Sequence, residues 1–280
     1  MSETHLIHAF ARDGAGGNPA GVVLDADDLD AAARQALAAR LGVPETAFVS
    51  RSQTATRRVE FYTPTRQIAH CGHATVAAFG LLHRRGDLPE GDYVKESIDG
   101  PRTVRIRDGQ VFLRLPSPTV AGERFSAEAL AALLGLTPDR IDAEDAAIVD
   151  LGNRFLHIAV RDAAALRAIV PDLAAITVLS DQHELIGLYV RTADTDTPAQ
   201  FARTRMFAPH YGIDEESATG MGAAGLAAWL ALRDALPGDR GWIAQGDAMP
   251  APSPSLLEVR VERRGRDIEA IWVGGKIRAE

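Results

Sequence analysis

The sequence predicts an α+β protein of two pseudo-symmetric halves, residues 1–118 and 119–280, each a curved β-sheet around one central helix. Four features recur in the same order in both halves: a Gly-Asn pair before an apolar strand and a helix, an aromatic-to-proline stretch, a glycine that opens an uncharged segment, and a closing hairpin. The repeats are separated by 135 residues (Asn18 to Asn153), 146 (Phe61 to Phe207), 148 (Gly72 to Gly220) and 156 (Gly109 to Gly265). Because every separation lies near half the chain length and the separations increase smoothly, we interpret the sequence as a duplicated architecture.

Periodic patterns predict the strands and surface helices of each half. The segment Val104–Leu115 alternates apolar and polar residues on both sides of an Asp-Gly pair, which is typical of a β-hairpin with a tight turn. A surface helix is predicted for Asp27–Leu41, in which apolar residues stand at every fourth position: Leu29, Ala33, Leu37 and Leu41. The Gly-Val-Pro sequence that follows is expected to end this helix.

Two segments predict a buried helix at the centre of each half. Ala74–Leu82 and Ala223–Leu232 carry no charge on any face, so each should be buried on all sides. Gly72 and Gly220 open these segments, and glycine lets another group approach the positively polarised start of a helix. Two such ends facing a shared cleft would bind a carboxylate without arginine or metal. The alternative is that the glycines only allow close helix packing.

Composition limits the possible function classes. The chain has 280 residues and a formal charge of 30 − 38 = −8, which argues against a nucleic-acid-binding protein. Cys71 is the only cysteine, which excludes an internal disulfide framework and a metal site built from several cysteines. The first residues lack a basic segment followed by an apolar run, so we expect no secretory signal and a cytoplasmic protein.

Several motifs resemble those of PhzF-type, phenazine-biosynthesis-like proteins, which share the diaminopimelate-epimerase fold. They are, in order, GNPAGVVL, GVPETAFV, FYTPTRQIAHCGHATVAAFG, MFAPHYGIDEESATGMGAAGLAAWL and the VGG near the end. The resemblance covers nearly the whole chain. It implies two barrel-like halves around central helices with a cleft between them, no cofactor, and often a homodimer. Separately, His70 and His73 form a close pair of histidines that lacks a third ligand in the sequence, so we expect no metal site. It also implies an isomerase that moves a proton on a small carboxylate-bearing substrate.

The resemblance assigns roles to particular residues. It implies that Glu45 is the general acid/base and that His73 is a histidine of the cleft. At Glu216, which departs from the family motif, we expect a carboxylate that orients His73 or an amine or hydroxyl of the substrate. The residues expected to bind substrate are Asn18, Cys71, Gly72, Thr219, Gly220, Met221 and Gly222. For His73, the positive end of the central helix predicts a neutral imidazole.

The residues also leave two other functions open. A racemase or epimerase could use Cys71 as a thiolate base, although the position that would carry a second thiol is Thr219. A binding protein without catalytic activity is the other alternative, because Glu216, Met221 and Gln67 depart from the pattern of phenazine enzymes. A site that loses a hydrogen-bond donor rejects the substrate that needs it, so we expect a substrate other than the phenazine precursor.

Overall fold

The computed structural model describes residues 3–265 and 267–280. Residues 1 and 2, in the predicted first half, lie outside the described residues. So does residue 266, in the closing hairpin of the predicted second half. The strands are β1 (Glu3–Ala9), β2 (Asn18–Leu24), β3 (Glu45–Ser50), β4 (Arg57–Tyr62), β5 (Gln67–Ile68), β6 (Gly91–Ser97), β7 (Gly100–Arg107), β8 (Gln110–Leu115), β9 (Thr119–Val120), β10 (Ile141–Asp150), β11 (Arg154–Val160), β12 (Gly187–Thr192), β13 (Gln200–Ala208), β14 (Ile213–Glu216), β15 (Arg240–Gln245), β16 (Ser255–Arg264), β17 (Asp267–Gly275) and β18 (Ile277–Ala279).

Within the described residues the helices are fewer than the strands, and the two longest helices, α2 and α6, have 13 residues each. The α-helices are α1 (Ala31–Leu41), α2 (Gly72–Arg84), α3 (Ala127–Leu134), α4 (Ala163–Ala168), α5 (Leu173–His183) and α6 (Gly220–Leu232). Single 3₁₀ turns occupy Ala26–Asp28, Pro138–Arg140 and Pro209–Tyr211. No helix within the described residues is both long and apolar enough to cross a membrane.

The chain forms two compact units. One extends to Arg114 and includes Gly274–Glu280, and the other is Leu115–Val273. The predicted halves were 1–118 and 119–280. The division differs because Gly274–Glu280 belongs to the first unit rather than to the second. Strand β18 pairs with β1, with Ala279 opposite Ile7, and this pairing makes the chain terminus part of the first unit.

Both units have the same strand pairing. In the first unit, β2 lies between β1, with which it pairs antiparallel, and β3, with which it pairs parallel. Strand β4 pairs antiparallel with β3 and β5 and parallel with β6. Strand β7 then pairs antiparallel with β6. In the second unit, β11 lies between β10, with which it pairs antiparallel, and β12, with which it pairs parallel. Strand β13 pairs antiparallel with β12 and β14 and parallel with β15. Strand β16 then pairs antiparallel with β15. The predicted α+β fold with a duplicated architecture is therefore confirmed.

The register identifies equivalent positions in the two units. Glu45 stands opposite Ala20 at the start of the parallel pair β2–β3. Gly187 stands opposite Phe155 at the start of the equivalent pair β11–β12. Gly187 therefore holds in the second unit the position that Glu45 holds in the first.

Each central helix is buried as its sequence predicts. Helix α2 is buried from His73 to Leu82, and α6 from Gly222 to Ala228. Glycines inside these helices allow close packing. A Cβ atom on Gly80 would lie 2.7 Å from Ile277 Cγ2, and one on Gly225 would lie 2.8 Å from His157 Nε2.

The buried face of α1 differs from the prediction. Ala33 is exposed, whereas Arg34 and Ala38 are buried. Arg34 can be buried because its guanidinium pairs with Glu60 and donates to Ala26 O at 2.9 Å. Glu60 also accepts from Gln67 Nε2 at 3.3 Å. A buried arginine with a distant partner is not visible in a pattern of apolar residues.

Candidate active site

Glu45 is the first residue of β3, directly after the turn that ends α1. Gly42 caps the helix in the left-handed region, at φ 64°, and its N–H donates to Ala38 O at 3.2 Å. Pro44 then favours an extended backbone, from which β3 continues beside β2. The Glu45 side chain is 13% exposed. This turn therefore places a carboxylate at a partly covered strand end.

Cys71 and His73 lie at the start of α2. Cys71 is the N-cap, with an extended backbone at φ −145°, and its carbonyl oxygen accepts from Thr75 N at 3.2 Å and from Thr75 Oγ1 at 2.7 Å. Cys71 is 7% exposed and His73 is 5% exposed. The cap therefore fixes both side chains in a buried environment.

These three side chains converge in the first unit. His73 Nε2 lies 3.2 Å from Glu45 Oε2, and Cys71 Sγ lies 3.5 Å from His73 Nδ1. Oε2 is a buried atom at ion-pair distance from His73 Nε2, and within the described residues no donor forms a hydrogen bond of ordinary geometry with it. We call Glu45, Cys71 and His73 the acid–thiol–imidazole triad. One donor atom from each lies within 4.8 Å of the others, a spacing that could hold a metal ion.

The pKa of His73 depends on burial and on two neighbouring side chains. Burial by itself lowers the pKa of His73, but the charges of Cys71 and Glu45 raise that pKa well above its ordinary value. Burial also raises the pKa of the Cys71 thiol. Of the two neighbours, Cys71 raises the pKa of His73 more than Glu45 does. The neutral imidazole stays a prediction, and the raised pKa of His73 runs against it because the charges of Cys71 and Glu45 oppose the effects of burial and of the helix end.

Cys71 is correspondingly less suited to act as a thiolate than its helix position suggested. Helix N-termini lower thiol pKa values where the sulfur is accessible. Here desolvation dominates, and the pKa of Cys71 rises.

A second buried cluster, which the sequence reasoning missed, adjoins the triad. Lys95 is fully buried, donates to Ser97 Oγ at 2.5 Å and lies 3.3 Å from His70 Nδ1. Burial lowers the pKa of Lys95 to about 8, and burial with the Lys95 charge lowers the pKa of His70 to about 4. Side chains alternate between the two faces of a strand, so Lys95 lies on the same face of β6 as Tyr93. This alternation is the only signal in the sequence that the lysine points inward.

In the second unit, Glu216 and Thr219 belong to a hydrogen-bond network at the start of α6. Thr219 Oγ1 donates to Glu216 Oε2. Gln245 Oε1 accepts from Thr219 N at 3.1 Å and from the Tyr189 hydroxyl at 3.1 Å, and Gln245 Nε2 donates to Glu216 O at 2.7 Å. Gln245 and Tyr189 are therefore components of this helix start that sequence reasoning missed, and no motif marks them.

The remaining predicted residues lie at strand and helix starts. Asn18 opens β2 and is 2% exposed, opposite Ala9 of β1. Gly220 is buried and Met221 is partly buried in the first turn of α6. A Cβ atom on Gly222 would lie 2.5 Å from Tyr189 Cδ2, whereas one on Gly72 would meet only Leu113 Cδ1, at 3.7 Å. Close packing against Tyr189 therefore explains why position 222 is a glycine. At Gly72 the space beside the backbone is open.

A sequence model of the phenazine biosynthesis-like proteins, PhzC-PhzF, matches residues 7–278. The chain belongs to this family. It is 35% identical to an uncharacterized isomerase of Deinococcus radiodurans, over 98% of this chain and 92% of the relative. It is 30% identical to the trans-2,3-dihydro-3-hydroxyanthranilate isomerase of Pseudomonas aeruginosa, over 96% of this chain and 94% of the relative. The expectation of an isomerase is thus confirmed at the level of the family.

Solved structures confirm the fold. The PhzF-family protein of Bacillus anthracis superposes with a TM-score of 0.86 at 22% identity, over 100% of this chain and 97% of the other. A hydroxyproline epimerase of Agrobacterium vitis superposes with a TM-score of 0.62 at 16% identity, over 100% and 89%. Likeness to an epimerase agrees with the predicted diaminopimelate-epimerase type of fold.

Proposed function

We propose that the protein is a cofactor-independent isomerase in which Glu45 moves a proton between two carbons of a small, carboxylate-bearing substrate. The observation that carries this proposal is the position of Glu45 Oε2, which is buried, 3.2 Å from His73 Nε2 and without an aligned hydrogen-bond donor. Such an oxygen has a free lone pair, which a general base needs.

The steps balance without another reactant. The Glu45 carboxylate takes a proton from one substrate carbon, and the electron pair left behind is delocalised over the substrate. The neutral carboxylic acid then returns the proton to a second carbon. His73, whose Nε2 lies 3.2 Å from Glu45 Oε2, positions this carboxylate for both transfers. We propose that the open backbone at Gly72 binds the substrate carboxylate, because helix starts bind anions.

For the second unit we propose a role in binding. Glu216 and Thr219 would hold an amino or hydroxyl group of the substrate, and Gly220, Met221 and Gly222 would shape the surroundings. Asn18 and Cys71 complete the proposed binding residues. A homodimer is also proposed from the family resemblance, and light scattering after gel filtration measures it directly.

Proton exchange in D₂O tests the proposal. Three probes cover the compounds that relatives and structural neighbours act on or bind: trans-2,3-dihydro-3-hydroxyanthranilate, trans-4-hydroxy-L-proline and L-proline. Thermal unfolding first identifies which probe binds, since a ligand of the native state raises apparent stability with its concentration. Proton NMR then follows loss of C–H signals and appearance of an isomer. A probe that binds without any exchange would indicate a binding protein.

Two variants distinguish the isomerase from the racemase. Glu45→Gln should lower the exchange rate by about 10³-fold, within the range for loss of general acid–base catalysis. Cys71→Ser should change the rate by less than about 3-fold. The reverse result would favour a racemase that uses Cys71, for which the 3.5 Å contact between Sγ and His73 Nδ1 is the structural argument.

A further inference from the structure

The acid–thiol–imidazole triad presents three kinds of metal ligand in one place. Sulfur, nitrogen and oxygen donors from Cys71, His73 and Glu45 lie within 4.8 Å of one another. Within residues 3–265 and 267–280, no other three histidine, cysteine or acidic side chains bring their donor atoms this close.

The separations suit a tetrahedral ion. Zinc binds sulfur at about 2.3 Å and nitrogen or oxygen at about 2.0–2.2 Å, so ligand atoms around a tetrahedral zinc lie roughly 3.3–3.7 Å apart. Nε2 of His73 lies 3.2 Å from Glu45 Oε2 and 4.0 Å from Cys71 Sγ. The Glu45 oxygen is thus close to coordination spacing from Nε2, and rotation of the Cys71 and His73 side chains would have to bring the sulfur, which lies nearer Nδ1 at 3.5 Å, to the same nitrogen.

The surroundings also favour binding. Cys71 and His73 are 7% and 5% exposed, so water competes poorly for their donor atoms. Glu45 Oε2 lacks an aligned hydrogen-bond donor and has a lone pair to offer. The Glu45 side chain is 13% exposed, which leaves one side open for entry of an ion and for a fourth ligand such as water.

We propose that the triad binds Zn²⁺, or another divalent ion that prefers thiolate ligands, and that this binding reversibly inhibits the protein. Coordination releases the protons of the thiol and imidazole to solvent and occupies the Glu45 oxygen that would otherwise accept the substrate proton. The binding part is independent of the proposed function, whereas the inhibition part rests on it.

Cobalt titration of the metal-free, substrate-free full chain tests binding. Co²⁺ takes zinc sites, and a bound thiolate gives a charge-transfer band in the near ultraviolet. We expect one ion per chain and displacement of Co²⁺ by Zn²⁺. Cys71→Ser should abolish the band and weaken Zn²⁺ binding at least 100-fold, and Glu45→Gln should keep the band and weaken binding about 10-fold. His210→Gln, at an exposed position outside the triad, is the matched control and should bind as the wild type does.

Absence of the charge-transfer band, or Zn²⁺ affinities within about 3-fold of wild type in both triad variants, would overturn the proposal. If Cys71→Ser does not fold, His73→Asn takes its place. Exchange assays with and without Zn²⁺ then separate the two hypotheses. Binding without any exchange activity contradicts only the proposed function, and exchange that saturating Zn²⁺ leaves unchanged contradicts the inhibition.

Discussion

The starts of the two central helices occupy the same place in the same strand pattern, yet they carry different chemistry. In the first unit the positions are Cys71, His73 and Glu45. The separation of 148 residues between the helix starts, and the register of the parallel strands, give Thr219, Met221 and Gly187 as their equivalents in the second unit. A thiol, an imidazole and a carboxylate are thus replaced by a hydroxyl, a thioether and a hydrogen atom.

The difference contrasts titratable groups at one helix start with hydrogen-bonding groups at the other. At α2 the charges of Cys71 and Glu45 raise the pKa of the buried His73. At α6 the amide of Gln245 and the hydroxyls of Thr219 and Tyr189 form neutral hydrogen bonds that fix geometry. Because no matching base stands at the equivalent positions, the proposed reaction uses one proton-transferring group rather than a pair.

The largest effect is expected from Glu45→Gln. A raised folded-state pKa means that His73 contributes stability fully below its unfolded pKa of about 6.5, and that this contribution is lost as the pH rises through the folded value. Removing the carboxylate removes the part of this contribution that comes from Glu45, and the part from Cys71 remains. Breaking a buried pair costs about 3 kcal/mol, so Glu45→Gln should lower the free energy of unfolding by about that much at pH 6 and by clearly less at pH 9. Urea unfolding at both pH values measures the difference.

Glu216→Gln is the control from the second unit. The Glu216 carboxylate accepts from the Thr219 hydroxyl, a neutral donor whose charge does not change with pH. The loss of stability should be about 1 kcal/mol and equal at pH 6 and pH 9. A pH-independent loss in Glu45→Gln would show that His73 and Glu45 are not coupled.

His157 offers the opposite case of a buried histidine. It is 1% exposed, and within the described residues neither ring nitrogen has a hydrogen-bond partner. Burial lowers its pKa to about 3. Between pH 6.5 and 3 the unfolded chain therefore binds more protons than the folded chain, and stability falls on acidification. At pH 5, about 1.5 units below the unfolded pKa, the loss is about 2 kcal/mol.

The variant His157→Phe removes this titration and retains a ring against Tyr189, which the histidine contacts edge-on at 5.5 Å. Between pH 7 and pH 5 the wild type should lose about 2 kcal/mol more than the variant. His210→Gln, at an exposed histidine, should follow the wild type. If the variant and the wild type lose stability equally between the two pH values, His157 is not a buried neutral group.

Local patterns were sufficient to predict most of the fold. The uncharged segments became α2 and α6, the Asp-Gly pair became the turn between β7 and β8, and the glycine after α1 became its left-handed cap. Local patterns did not show what a distant partner decides. Arg34 is buried because Glu60 lies beside it, and the chain terminus joins the first unit because β18 pairs with β1.

The site was predictable in its residues but not in its electrostatics. Family motifs identified Glu45, Cys71 and His73, which lie together in the structure. The raised pKa of His73 depends on the distance from its ring to a carboxylate on another element, which no sequence spacing gives. Lys95 and Gln245 are buried polar residues in ordinary strand positions, so neither carries a motif.

The last pair of variants tests the difference between the glycines of the two helix starts. In Gly222→Ala the new methyl group would lie 2.5 Å from Tyr189 Cδ2, and the buried tyrosine ring would have to move. Overpacking of this kind costs about 1–3 kcal/mol, so we expect a loss near 2 kcal/mol in urea unfolding. The Tyr189 hydroxyl donates to Gln245, so the network at Thr219 should loosen as well.

Gly72→Ala is the matched substitution in the first unit. Its methyl group would meet only Leu113 Cδ1, at 3.7 Å, an ordinary contact. Alanine has a higher helix propensity than glycine, which offsets any small cost of this contact. The free energy of unfolding should therefore change by less than about 0.5 kcal/mol. The same methyl group would cover the backbone where we propose that the substrate carboxylate binds, so the thermal shift given by a binding probe should disappear. Unchanged probe binding in Gly72→Ala would assign this glycine to packing too, and would move the anion site away from the start of α2.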